Sequence, residues 1–311
     1  MERKLITLYK TRTFGQKMSD TFDFVTENWK PLLKFSTYLL LPLTMVLAVC
    51  MTSMMDGYSL VLNSNGTLGN NELSEVLISY VGTLIMSVVC GLVGTALVYA
   101  CMRLYGERDE RLQGLTGATL KPLLLSNLKR LLALTGIGLA VSAVLIAVLF
   151  VLALQLRTAS VMMMVLIFII APIVLVPLSL TAPVYLFEDE TSALGAFAKA
   201  WRLGFATWGG TLAVLFVLGM IAYLASGALS IPYIIVNVMK MMTKTGELSA
   251  ANGDAGIFTS MLEYLLCVFT YFTSQLTMML TYIGLGYQYG HASDKIEGTG
   301  TNREIEQFET L

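Results

Sequence analysis

The chain has 311 residues, of which 56% are apolar and only 13% charged, with a net charge of −1 and a mean hydropathy of +0.71. An ordinary soluble domain carries about 25% charge, so this chain lacks the polar shell that water requires, and lipid is expected to cover most of its outside. The near-neutral balance excludes a broad nucleic-acid footprint, which needs a surplus of Lys and Arg on one face.

The first thirty residues are polar rather than a short basic stretch leading into an apolar core and a cleavage site, so the first spanning helix is expected to direct insertion itself. Within them Met18, Phe22, Val25 and Trp29 fall on one helical face and Asp20, Asp23 and Glu27 on the other. That spacing predicts an amphipathic helix lying on the cytoplasmic surface.

A spanning helix needs about 20 predominantly apolar residues, because every backbone amide must be bonded within the segment. Six stretches qualify, at 33–55, 76–102, 131–156, 161–187, 209–231 and 258–287. The predicted fold is therefore all-α, a polytopic bundle of six transmembrane helices over 33–287, preceded by a cytoplasmic segment (1–32) and followed by a cytoplasmic tail (288–311). Only Leu156 to Ser160 separates the third and fourth spans, which predicts an antiparallel hairpin. Pro172, Pro177 and Pro183 predict a bent or locally unwound fourth span.

Glu188-Asp189-Glu190 follow that span, where acids complement the dipole of the next helix, and Asp189 or Thr191 is placed to cap it. That helix carries an aromatic and apolar stripe of Leu194, Phe197, Trp201, Phe205 and Trp208, with Lys199 and Arg202 placed to snorkel, and is a second candidate interfacial helix. The fifth apolar run continues through Pro232 to Met242, which predicts a kink and a short outer helix beyond it.

Laying Trp29-Lys30-Pro31-Leu32-Leu33 over Trp208-Gly209-Gly210-Thr211-Leu212 also brings Phe22 onto Trp201 and Met18 onto Phe197. A fainter copy lies in 116–132, where Asn127 to Leu131 take the same register. The pattern predicts three units of surface helix plus helical hairpin, all inserted in the same sense.

Of the 20 basic residues, only Arg157, Lys240 and Lys244 fall in the loops on one side; the remaining 17 lie on the other, which sets both termini in the cytoplasm. Cys50, Cys90, Cys101 and Cys267 sit in or beside apolar runs with no CxxC pair, as small buried apolar residues do.

In the last span Thr270, Thr273, Ser274, Thr277 and Thr281 recur every three or four residues, with Gln275 beside them. Such a stripe faces protein or a cavity rather than lipid. Interhelical packing is the first reading and a path for a small polar solute the second. Glu263 is the one carboxylate clearly inside an apolar run, expected at headgroup level where ionisation costs little, with a proton-coupling role as the lesser alternative. With a single histidine, His291, and no glycine-rich phosphate loop, zinc sites, catalytic triads and nucleotide binding lack material. No metal, cofactor or enzymatic activity is expected.

The run Pro183-Val184-Tyr185-Leu186-Phe187-Glu188, then Ala193-Leu194, Ala200-Trp201-Arg202-Leu203 and Trp208, resembles the membrane domain of glycerophosphoryl diester phosphodiesterases and the YciC-like bacterial membrane proteins. The opening Thr21 to Lys34 and the tail Lys295 to Gly300 are similar to uncharacterised membrane proteins of Bacteroidetes. The resemblance implies a six-helix fold across nearly the whole chain. Ala200 replaces the usual Ser and no catalytic barrel is appended, so it implies no phosphodiesterase activity.

The expected function is that of a non-enzymatic accessory or scaffold protein, multi-pass in the bacterial cytoplasmic (inner) membrane, whose surface helices organise lipid, a membrane-protein partner or a second copy of the chain. A transporter or channel for a small or lipid-like substrate is the alternative. An intramembrane enzyme drawing on Glu263, Tyr264 and Tyr271 comes last.

Overall fold

In the computed structural model, which describes residues 6–63, 69–108, 110–155, 160–244 and 254–301, every regular element is helical. The helices are α1 (Phe14–Asn63), α2 (Asn70–Glu107), α3 (Gly117–Gln155), α4 (Ser160–Leu178), α5 (Thr181–Phe187), α6 (Ala193–Ala206), α7 (Trp208–Lys244) and α8 (Asp254–Glu297). Six stretches of them are long and apolar enough to cross a membrane. Their flanks leave large side chains outward, among them Leu139, Val144, Ile146, Phe168, Phe216 and Leu224. Apolar surface this continuous is stable only in hydrocarbon, and the chain is a multi-pass integral membrane protein.

Two compact units group the helices by contact. The first comprises Met1–Pro31, Ala96–Gly219 and Leu280–Leu311, the second Leu32–Thr95 and Met220–Met279. The core of the first joins Leu180 and Val184, Ala196, Ala200 and Leu203 of α6, and Leu285, Tyr289 and Ala292 of α8. Alanines at 196 and 200 bring α6 close to its neighbours, and Gly204 lies so near Pro177 that a Cβ would overlap it. In the second unit Ala48 packs against Cys267 and Val268, with Tyr233, Tyr264 and Tyr271 around them. All four cysteines are free thiols, three of them buried.

Local chemistry explains where the helices bend. The amphipathic stretch before the first span is continuous with it in α1, broken only at Asn28 (φ −112°, ψ 18°). Pro31 has no N–H to give the Glu27 carbonyl, and the Asn28 side chain turns back to donate to Phe24 O at 2.9 Å. The fourth span unwinds at Ser179 and Leu180, between α4 and α5. Pro183, lacking a donor for the Ser179 carbonyl, accounts for that break. At Pro232, by contrast, α7 runs on unbroken to Lys244, so the separate outer helix expected there does not form. One missing bond in 37 residues does not end a helix whose other amides are paired. The turn expected between the third and fourth spans, with Arg157, lies outside the described residues apart from Ser160.

The repeat proposed from sequence has a structural counterpart in its first and last copies. Lys17, Thr21, Phe24, Asn28, Leu32 and Phe35 are buried, and so are the aligned Ala196, Ala200, Leu203, Thr207, Thr211 and Val214. The backbone leaves helical geometry at the same register, at Asn28 and at Thr207 (φ −123°, ψ 27°). No corresponding break occurs in α3, which carries Asn127 within one continuous helix.

Candidate functional site

The two aromatic stripes turn outward. Trp29 is 52% and Trp201 43% exposed, Phe22 and Phe205 are exposed beside them, and Phe197 and Trp208 are half-buried. The opposite faces of the same helices carry the buried residues of the repeat. On α6 that reverse face is small and packed, with Ala196 and Ala200, and on α1 it carries Lys17, Thr21 and Phe24.

Asp189 and Thr191 were the expected caps of α6, but the cap is Ser192, whose hydroxyl accepts from Gly195 N at 3.1 Å. The acids serve other partners. Arg103 of α2 forks onto Asp189 through Nη1 at 2.8 Å and Nη2 at 2.5 Å, and Arg130 of α3 reaches the same carboxylate at 3.1 Å. Glu188 Oε1 accepts from Tyr289 at 2.6 Å and Lys199 Nζ at 2.8 Å. Lys199 also holds Glu297 at 2.7 Å, and Arg202 pairs with the same acid. The bidentate hydrogen bond from Arg103, with burial opposing it, keeps the Asp189 carboxyl below its usual range. Burial works against the charge of Lys199, but its bonds to Glu188 and Glu297 outweigh it and raise its pKa. Of these groups Arg103, Glu188, Asp189, Lys199 and Tyr289 line a cleft of about 900 Å³, together with Lys10, Glu107 and Glu190. The ion pairs and hydrogen bonds tie α2, α3, α6 and α8 together.

His291 accepts from the Arg12 backbone N–H at 2.9 Å. Two hydroxyls of the α8 stripe bond their own helix. Thr273 donates to Phe269 O at 2.8 Å and Thr277 to Ser274 O at 2.9 Å. Thr270 and Thr281 have hydroxyls with no hydrogen-bond partner, and Ser274 and Gln275 are half-buried along the same stretch. This back-bonding is what hydroxyls do at a packed helix face.

Glu263 departs from its expected headgroup solvation. It is 1% exposed, and Lys240 Nζ of α7 lies 2.6 Å from its Oε2. Lys240 also reaches Asp56 Oδ1 of α1 at 3.0 Å. The three charges wall a cavity of about 270 Å³ with Tyr58, Ile234 and Val238. In the sequence Lys240 is one of three basic residues outside the strongly basic loops, and Glu263 has no adjacent partner. The signal lies in opposite charges at adjoining ends of the fifth and sixth runs, lysines with no acid in α7 and a carboxylate with no nearby base in α8.

In comparisons with known proteins the chain matches no family model, no curated protein and no solved structure.

Proposed function

We propose that the protein is a non-enzymatic accessory or scaffold component of a bacterial cytoplasmic membrane, with both termini inside, whose aromatic helix faces hold headgroups or a membrane-protein partner. The outward turn of Phe22, Trp29, Trp201 and Phe205 carries this reading. Basic residues on the same side as those helices support the orientation through the anionic inner leaflet. Affinity purification in mild detergent, combined with deletion, tests it. Co-purifying lipid or partner and a changed envelope are expected; recovery of the bare chain with an unchanged envelope would overturn it.

A transporter or channel for a small or lipid-like substrate is the second reading, favoured by the Lys240–Glu263 pair within an apolar cavity. Reconstituted vesicles that take up no labelled amphiphile above a protein-free control would remove it.

A further inference from the structure

Two buried polar atoms that face the cavity of the second unit have no hydrogen-bond partner. One is Glu263 Oε1, on a side chain 1% exposed whose other oxygen is taken by Lys240. The second is the hydroxyl of Tyr233. Its companions do not satisfy it. Asn237 turns its Nδ2 to the Tyr233 carbonyl at 3.4 Å, and the Cys267 thiol against which Tyr233 packs is a weak partner directed at Ala48 O, 3.9 Å away. Buried groups left in this state bear their full desolvation cost. A proton placed on Glu263 Oε1 would only exchange an unmatched acceptor for a donor that itself needs a partner.

We propose that this cavity is filled with water, which bonds Glu263 Oε1 and the Tyr233 hydroxyl and brings solvent to the Cys267 thiol in the interior of the unit. A molecule that serves both atoms has to donate to the carboxylate and also accept from the phenol, and water does both while making two to four bonds at one site. Room is sufficient, since a water takes about 30 Å³ and the cavity holds about 270 Å³. Ser59 and Asp56, the latter 48% exposed, give the cavity a polar edge beside the apolar Ile234 and Val238. Cys267 stands one turn beyond Glu263 on the same face of α8, so water at Tyr233 reaches past the ion pair into the apolar span. Solvent access of this kind goes beyond the scaffold reading and stands whether or not that reading holds.

Proton exchange at Cys267, whose side chain is fully buried, tests it. The full chain carrying Cys50→Ala, Cys90→Ala and Cys101→Ala is reconstituted in vesicles and transferred to D₂O, and the infrared S–H stretch is followed in time. A second chain that keeps only Cys101, equally buried, is the dry reference. Cys267 is expected to exchange about ten-fold or more faster than Cys101, and Val238→Trp, which fills the cavity, should remove most of that difference. Equal rates at the two thiols overturn the proposal and leave a cavity occupied by acyl chain; fast exchange at Cys267 that Val238→Trp does not slow overturns it too. Tyr233→Phe in the chain with its native cysteines gives a separate readout, which serves where the alanine background does not fold. In a dry cavity that variant deletes an unmatched hydroxyl and raises the melting temperature, whereas in a wet one it gives up a bond to water and does not. A raised melting temperature would therefore also overturn the proposal.

Discussion

Lys17 and Gln288 meet in the interior of the first unit, the ammonium donating to the amide oxygen at 2.7 Å, with neither side chain more than 3% exposed. Gln288 in turn donates through Nε2 to Thr211 at 2.9 Å and Thr207 at 3.2 Å. One amide of α8 thus joins the buried faces of the first and last repeat copies. Gln288 hydrogen-bonds all three of the others.

Gln288→Leu should therefore destabilise the protein more than an average buried substitution. The ammonium of Lys17 would lose its acceptor where water is excluded, a loss of about 1–3 kcal/mol or more because the donor is charged. Thr207 and Thr211 are less affected, since their hydroxyls already donate to Leu203 O at 2.8 Å and Thr207 O at 3.1 Å. Adding Lys17→Met to Gln288→Leu should restore most of the loss, because both partners are then apolar. Thermal unfolding of the three variants in detergent checks this, and a double variant less stable than Gln288→Leu would contradict it.

Asp189 predicts an acid-sensitive step. Its folded pKa lies below the unfolded value near 3.8. Its contribution is therefore complete above that value and is lost as the pH falls through the folded one. The carboxylate is 59% exposed, so the contribution is below about 1 kcal/mol after solvent screening. Asp189→Asn should lower stability slightly at neutral pH and flatten part of the acid limb of a stability-against-pH curve. Superimposable curves for the two proteins would show that Arg103 and Arg130 gain nothing from the pair.

Gly204 offers a test of packing. A Cβ there would sit 2.7 Å from Pro177 Cβ and 2.8 Å from its carbonyl oxygen, and the opposing atoms include backbone that cannot swing aside. Gly204→Ala should cost about 1–3 kcal/mol or more. Gly219→Ala, where nothing lies within 4 Å, should be neutral or mildly stabilising in the same unfolding assay.

The six spans were legible because lipid imposes a length of apolar sequence that few other environments demand. Helix ends were not, since apolarity marks hydrocarbon thickness rather than helical backbone: α3 begins at Gly117 and α8 ends at Glu297, well beyond the runs that announced them. Aromatic periodicity disclosed the outward faces of α1 and α6, but the inward faces rest on Lys17, Thr21, Ala196 and Ala200, which hydropathy does not single out. The partnership of Glu263 with Lys240 was hidden for a related reason. Neither has an opposite charge near it in its own helix, and only the tertiary approach of α7 and α8 makes them a pair.

The aromatic faces yield the prediction that decides whether these helices rest on lipid. Single cysteines at Trp29 and Trp201, in a background with the four native thiols replaced, would carry an environment-sensitive fluorophore in reconstituted vesicles. Because both positions are exposed and flanked by basic residues at 30 and 202, each label should emit as in a headgroup layer and be quenched by a headgroup-borne quencher more than by one deep in the acyl chains. A cysteine at Ala200, buried on the reverse face of α6, should resist labelling. Labels at 29 and 201 that emit as in water and respond only to aqueous quenchers would place these stripes off the membrane, and the scaffold reading would lose its support.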